Sequence, residues 1–180
     1  TNPNALTQEE IYNLYTGDGG LHGLEFKDYS SFHSFTEAKK EIEQGQFFTP
    51  HEICKTMVEI LDHKQNEFIA DITCGAGVFF NFLDNNYCYG ADIDQKAVKV
   101  AKFLYPNTKI EHQDIRFYEP QILFDSIIGN PPFNLKWTYR MKEYNSQLFY
   151  MKKEFELLKP AGVLIFICHK FFLSDFFFDQ

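Results

Sequence analysis

From Phe68 onward the chain alternates short apolar runs with amphipathic stretches, the pattern that builds a parallel sheet covered by helices. Strands are predicted at 68–72, 87–93, 108–114, 124–129 and 163–168. Between them, the stretch 95–104 sets Ala97, Val98, Ala101 and Leu104 on one side, and 146–158 does the same with Leu148, Met151, Phe155 and Leu158. Such strands joined by right-handed crossovers predict a doubly wound, Rossmann-like α/β sheet.

The upstream pattern is more polar. Thr7-Gln8-Glu9-Glu10 reads as a capping box opening a short helix, which Thr16-Gly17-Asp18-Gly19-Gly20 ends, and a second polar helix is predicted over 36–44. Residues 1–44 therefore read as a short helical N-terminal segment set apart from an α/β domain over 45–180. Thr49-Pro50-His51-Glu52 is a further capping box with Pro at the first helical position, and the helix it opens carries Ile53, Met57, Ile60 and Leu61 on one face. A cap alone does not account for the exposed-looking Phe47-Phe48 pair beside it.

Composition narrows this picture in three ways. With 180 residues, 44% hydrophobic and 18% aromatic, the chain can bury one core rather than two. No apolar run approaches the ~20 residues a membrane helix needs, and the start lacks a signal-peptide pattern, so a cytoplasmic protein without membrane contact is expected. Cys54, Cys74, Cys88 and Cys168 are scattered and the six His dispersed, so neither a disulfide framework nor a metal site is signalled. The net charge of −8 argues against a nucleic-acid surface spread over the whole chain. Lys136, Arg140, Lys142, Lys152 and Lys153 form a basic cluster, read mostly as a solvated helix face.

Candidate chemistry lies at the predicted strand ends. The first strand runs through Asp71, Ile72, Thr73 and Cys74 into Gly75-Ala76-Gly77, a turn where backbone can approach a ligand beside a helix start. A dinucleotide fingerprint needs a third glycine where Phe80 stands, which favours a cofactor other than NAD. Gly90-Ala91-Asp92-Ile93-Asp94 places Asp92 where such folds hydrogen-bond a ribose, while Asp94 suits the cap of the next helix. Asp114, followed by Ile115, ends the third strand with an acid that can accept a bond from an adenine amino group.

Asn130-Pro131-Pro132-Phe133 follows the fourth strand, at the same sheet edge. The nitrogen of an aromatic amino group is a poor nucleophile because its lone pair is delocalised into the ring. The Asn130 side-chain oxygen and the Pro131 carbonyl can accept its two N–H bonds and draw it toward tetrahedral geometry. The prolines stiffen the loop, and Phe133 offers a face on which an extruded base can stack.

These motifs together, over about 45–174, resemble the amino-methyltransferases of the N6-adenine DNA type, as in modification subunits of restriction-modification systems. The resemblance implies S-adenosylmethionine as cofactor, with Phe48, Thr49 and Pro50 of Gln46-Phe47-Phe48-Thr49-Pro50 packing at its methionine end. It implies a cofactor turn at Asp71, Thr73, Cys74, Gly75 and Gly77, a ribose acid at Asp92 beside Ile93, an adenine acceptor at Asp114 beside Ile115, and a catalytic loop from Asn130 to Phe133. DNA is the implied substrate, and a specificity or restriction subunit the implied partner. Ile72 stands where the family has Pro.

In that family two further strands, a target-recognition domain and a second base-stacking aromatic follow. The sheet is therefore expected to be incomplete at its C-terminal end, with nothing in this chain supplying that aromatic. The aromatic run of Phe171, Phe172, Phe176, Phe177 and Phe178 agrees with a chain that is part of a longer protein. Protein glutamine and ribosomal RNA guanine-N2 methyltransferases, and a cofactor-binding remnant without activity, are the alternatives. The Phe-Phe-Thr-Pro motif ahead of the glycine turn counts against the first two.

Overall fold

Ile69, Ala70 and Asp71 form the central strand, and all three are buried because helices cover both faces of a parallel sheet. The computed structural model describes residues 6–16, 24–43, 48–83, 87–133 and 135–168, with backbone alone for 39–43. Gly17 to Gly20, Gln44, Gln46, Phe47 and the aromatic run beyond Cys168 lie outside the described residues.

Strand β1 (Ile69–Asp71) pairs in parallel with β2 (Cys88–Asp92) on one side and β4 (Phe124–Gly129) on the other. Strand β3 (Lys109–His112) extends the sheet beyond β2, and β7 (Leu158–Phe166) beyond β4, giving the order β3-β2-β1-β4-β7. The order reverses direction between β1 and β4, and the carboxyl ends of those strands open a crevice there. Strand β7 starts earlier than the predicted 163, because Leu158 already pairs with Phe124 before a register shift brings Val163 against Ser126.

Among the described residues five α-helices accompany the sheet: α1 (Gln8–Thr16), α2 (Phe32–Glu43), α3 (His51–Leu61), α4 (Gln95–Leu104) and α5 (Ser146–Leu157). On α4 the predicted stripe is the buried one, and Asp94 caps it by accepting from the Lys96 and Ala97 N–H groups. On α3 the buried stripe is Cys54, Met57, Val58 and Leu61, whereas Ile53 and Ile60 are exposed. The two isoleucines lie roughly a quarter turn off that stripe, and the smaller Cys54 and Val58 fit against the sheet.

Helix α5 inverts its expected face. Tyr150, Glu154 and Gln147 are buried, with Phe149, Lys153 and Leu157, while Phe155 is 61% exposed. A buried stripe this polar carries no hydrophobic period to read.

Helix α1 packs into the main core. Tyr12 of α1 is 2% exposed within the same core cluster as Met57, Phe79 and Leu104, and the Gln8 side chain donates to the Leu104 carbonyl at 2.6 Å. The expected capping box forms, with the Thr7 N–H donating to Glu10 and the Glu10 N–H to the Thr7 hydroxyl.

An element the pattern did not predict follows β4. Strands β5 (Lys136–Tyr139) and β6 (Lys142–Asn145) make an antiparallel hairpin outside the main sheet. Lys136, Arg140 and Lys142 thus sit on a hairpin rather than a helix face, and Lys153 on α5 is nearly buried. Among the described residues no helix is long and apolar enough to cross a membrane.

Candidate functional site

After β1 the chain turns through Thr73 and Cys74, whose N–H donates to the Ala91 carbonyl, and reaches Gly75 and Gly77 with φ of +52° and +85°. In place of an α-helix start, a short 3-10 turn over Val78–Asn81 follows. A Cβ on Gly77 would lie 2.9 Å from Phe80 and 3.0 Å from Tyr105, so a glycine there answers a packing need as well as a left-handed one. The Phe48 ring lies over Gly75, 3.7 Å from where a Cβ would stand. Tyr12 and Tyr15 of α1 meet the same ring edge-on.

Asp92 at the end of β2 knits this turn to the next. One carboxylate oxygen accepts the Gly75 N–H at 2.7 Å and the other the Asp94 N–H at 2.8 Å. Burial pushes the Asp92 carboxyl up, and those backbone donors temper the rise. Burial, with the charges of Asp94 and Asp92, pushes the nearby Tyr15 phenol up to about 12.

Asp114 follows β3 and caps a 3-10 turn through the Arg116 N–H. Its carboxylate is also gripped by the Arg116 guanidinium, with Nε at 3.0 and 2.9 Å from the two oxygens. Burial works to raise the Asp114 carboxyl, but the bonds and charge of Arg116 outweigh it and the group is held below its ordinary value.

The Asn130 loop leaves β4 beside these groups. The Asn130 side-chain amide donates to the Thr49 hydroxyl at 3.0 Å, and the Thr49 carbonyl accepts from the Tyr12 hydroxyl at 3.3 Å. Thr49 therefore does not cap α3. Pro50 occupies that position without a side-chain bond, since the Thr49 hydroxyl is turned to Asn130. Downstream, the Ser146 hydroxyl donates to the Pro132 carbonyl at 2.7 Å and accepts the Leu135 N–H, which ties the loop to the start of α5.

Beneath the loop lies a buried acidic layer of Asp71 from β1 and Tyr150 and Glu154 from α5, each no more than 1% exposed. The Asp71 carboxylate accepts the Thr73 N–H at 3.1 Å. Burial drives the carboxyls of Asp71 and Glu154 well up, and each feels another acid besides.

A cavity of about 350 Å³ opens at this edge, within the range of small-molecule sites. Of the candidate residues it gathers Phe48, Thr73, Gly75, Asp92, Ile93, Asp114, Ile115, Asn130, Pro131 and Pro132. Thr49, Asp71 and Cys74 line a smaller adjoining pocket that also touches Asn130. Pro50, Gly77 and Phe133 lie outside both linings. Sequence reasoning missed Arg116, Leu135 and Trp137, which line the main cavity. Trp137 supplies an aromatic wall that no residue of this chain was expected to give, and its signal was its place a few positions past the Pro-Pro turn.

The N-6 DNA Methylase family model matches residues 30–169. The type II methyltransferase M.HincII of Haemophilus influenzae is 32% identical over 160 residues, covering 77% of this chain and 30% of that protein. The type I restriction enzyme MjaIX methylase subunit of Methanocaldococcus jannaschii is 31% identical over 119 residues, covering 56% of this chain and 21% of that one. The crystal structure of the type I restriction-modification system methyltransferase subunit from Streptococcus thermophilus shares the fold, with a TM-score of 0.55 at 18% identity over 68% of this chain and 34% of its own. The chain thus spans about 30% of the length of the first of these relatives. With 140 of its 180 residues matched, a span that takes in α3, the glycine turn and the Asn130 loop, the chain belongs to the N-6 DNA methylase family.

Proposed function

We propose that this chain carries the catalytic core of an S-adenosylmethionine-dependent enzyme that methylates the N6 amino group of adenine in DNA, within a restriction-modification system. The observation that carries this reading is Asn130-Pro131-Pro132 lining the same cavity as Gly75 and Asp92. The donor set suits the cofactor. Asp92 offers carboxylate lone pairs to ribose hydroxyls, Asp114 offers them to an adenine amino group, and Ile93 and Ile115 supply apolar surface for the ring. When bound, S-adenosylmethionine supplies a methyl group activated on a sulfonium.

The chain's own residues prepare the target. The Asn130 oxygen and the Pro131 carbonyl accept the two amino hydrogens and turn the nitrogen lone pair out of conjugation. Thr49 accepts a bond from the nitrogen end of the Asn130 amide, which orients that side chain. Pro131 and Pro132 restrict the backbone, and Trp137 with Phe133 gives aromatic surface near the loop for a base taken out of the duplex. Relatives named as type II methyltransferases and type I methylase subunits support DNA as substrate and a specificity or restriction subunit as partner.

The test is to incubate the complete protein with unmethylated plasmid DNA and labelled S-adenosylmethionine, then identify the methylated nucleoside by mass spectrometry. N6-methyladenine is expected. Label found instead in cytosine, RNA or protein glutamine would overturn the assignment.

Two substitutions probe the parts separately. Thr49→Val keeps the shape and removes the acceptor for the Asn130 amide, so the rate of transfer is expected to drop about 10-fold to 100-fold, in line with ~1–3 kcal/mol for a buried group left unmatched. Single-turnover rates at saturating cofactor would show it, and a wild-type rate would remove Thr49 from this role. Asp92→Ala is expected to raise the cofactor Kd by an amount worth ~1.5–3 kcal/mol, because charge-assisted bonds to the ribose are lost and the Gly75 N–H loses its acceptor. Titration calorimetry reads this directly, and an unchanged Kd would move the ribose contact elsewhere.

A further inference from the structure

The β5–β6 hairpin turns through two residues, Arg140 and Met141, both left-handed with φ of +48° and +61°. A two-residue turn of this kind favours Asn-Gly, which accepts positive φ cheaply. Here it carries two long side chains that do not, and Met141 is 97% exposed. A strained turn that presents an unbranched apolar side chain to solvent serves no packing purpose, and such broken local rules collect at functional positions.

The surroundings of the tip say what it meets. Arg140 lies over the Tyr139 ring at 5.0 Å, Lys142 stands on the other side of Met141, and Lys136 pairs with Glu143 across the strands at 2.9 Å. This gathers positive charge in a chain of net charge −8. The hairpin is braced along its length, since Trp137, Tyr139 and Tyr144 all meet Phe149 of α5 edge-on, and the Arg116 guanidinium donates to the Thr138 carbonyl. Trp137 at its base lines the cavity beside Pro131. Only the two turn residues, Arg140 and Met141, stand clear of this packing, both exposed, so the reach of the tip is that of their own side chains.

We infer that the hairpin tip is a duplex-entering wedge: Met141 occupies the space left in the base stack when the target adenine turns into the cavity, and Arg140 and Lys142 hold the flanking phosphates. The inference rests on the DNA-adenine reading above. Apolar side chains, methionine among them, are used in this way between base steps, and an extruded base leaves a gap whose filling offsets unstacking. A single apolar side chain between two cations fits a charged, stacked polymer better than an apolar protein face.

The experiment uses the complete protein with two duplexes carrying its methylated site, one fully paired and one with the target adenine opposite an abasic position. Met141→Ala is expected to lower kcat/KM about 10-fold on the paired duplex and less than about 2-fold on the other, where no pair needs opening, with cofactor Kd unchanged. Arg140→Ala with Lys142→Ala is expected to weaken binding to both duplexes and to reduce the slope of log K against log salt by about 1–2, at about 0.9 for each phosphate no longer neutralised. Equal effects of Met141→Ala on the two duplexes, or an unaltered salt slope, would overturn the wedge while leaving adenine methylation standing. Full activity of the variants with loss of an associated subunit would also overturn it, assigning the tip to a protein partner. Wild-type protein that methylates no adenine would remove the parent reading, and the wedge with it.

Discussion

Asn130→Ala is expected to lower the rate of methyl transfer by at least about 10²–10³-fold while the cofactor Kd stays within a few fold. The magnitude follows from the role assigned to the side chain, because removing one preorganised group aimed at changing charge in a transition state costs this much in other enzymes. The split between rate and affinity follows from position. Asn130 lies at the end of β4, on the same cavity as Asp92 and Asp114, and its amide is anchored to Thr49. Removing it leaves Gly75, Asp92 and the 3-10 turn in place, so a cofactor seated there is held as before. Rapid-quench single turnovers with a paired binding titration separate the two quantities. A variant that lost cofactor affinity and rate in equal proportion would place Asn130 among the cofactor contacts instead.

Gly129→Ala is expected to be the most damaging single-methyl change near the site. The added Cβ would stand 2.1 Å from the Tyr150 hydroxyl and 3.2 Å from an Asp71 oxygen, inside a layer where neither group can retreat because both are buried. Overpacking of this kind costs about 1–3 kcal/mol, sometimes more, and the full Cβ–hydroxyl overlap puts this case at the upper end. At ~2–4 °C per kcal/mol for a domain of this size, unfolding should come about 6–12 °C earlier. Tyr150→Phe removes the clashing oxygen but leaves the ring carbon at 3.3 Å, so the double variant should recover part of the loss. Thermal unfolding of the four species forms a double-mutant cycle, and a coupling of zero would contradict the contact.

Much of this arrangement is written locally in the chain. The strand at 124–129 is legible from Ile127-Ile128 running into the Asn-Pro-Pro turn, and the Asp94 cap and the Thr7–Glu10 box depend on neighbours within three residues. The place of the Asn130 loop is legible because it directly follows a predicted strand. What stayed hidden depends on distant partners. The Thr49 hydroxyl has two good uses, and only the approach of Asn130, 81 positions away, decides against capping α3. Helix α5 hides its buried face because Tyr150 and Glu154 are covered by the sheet, a fact that no period in 146–157 encodes. The hairpin is invisible since Arg140-Met141 lacks the Asn or Gly that marks such turns. Arg116, two residues past Asp114, looks like an ordinary surface cation until the fold brings its guanidinium to the cavity wall.

Helix α1 precedes every recognisable motif, yet it reaches the reacting end of the molecule in two steps, from the Tyr12 hydroxyl to the Thr49 carbonyl and from the Thr49 hydroxyl to the Asn130 amide. The packing that fixes this loop therefore includes α1 as well as the conspicuous Phe-Thr-Pro sequence. Any protein or ligand that draws this leading helix aside would loosen the Asn130 amide from 118 positions away in the chain, counting from Tyr12.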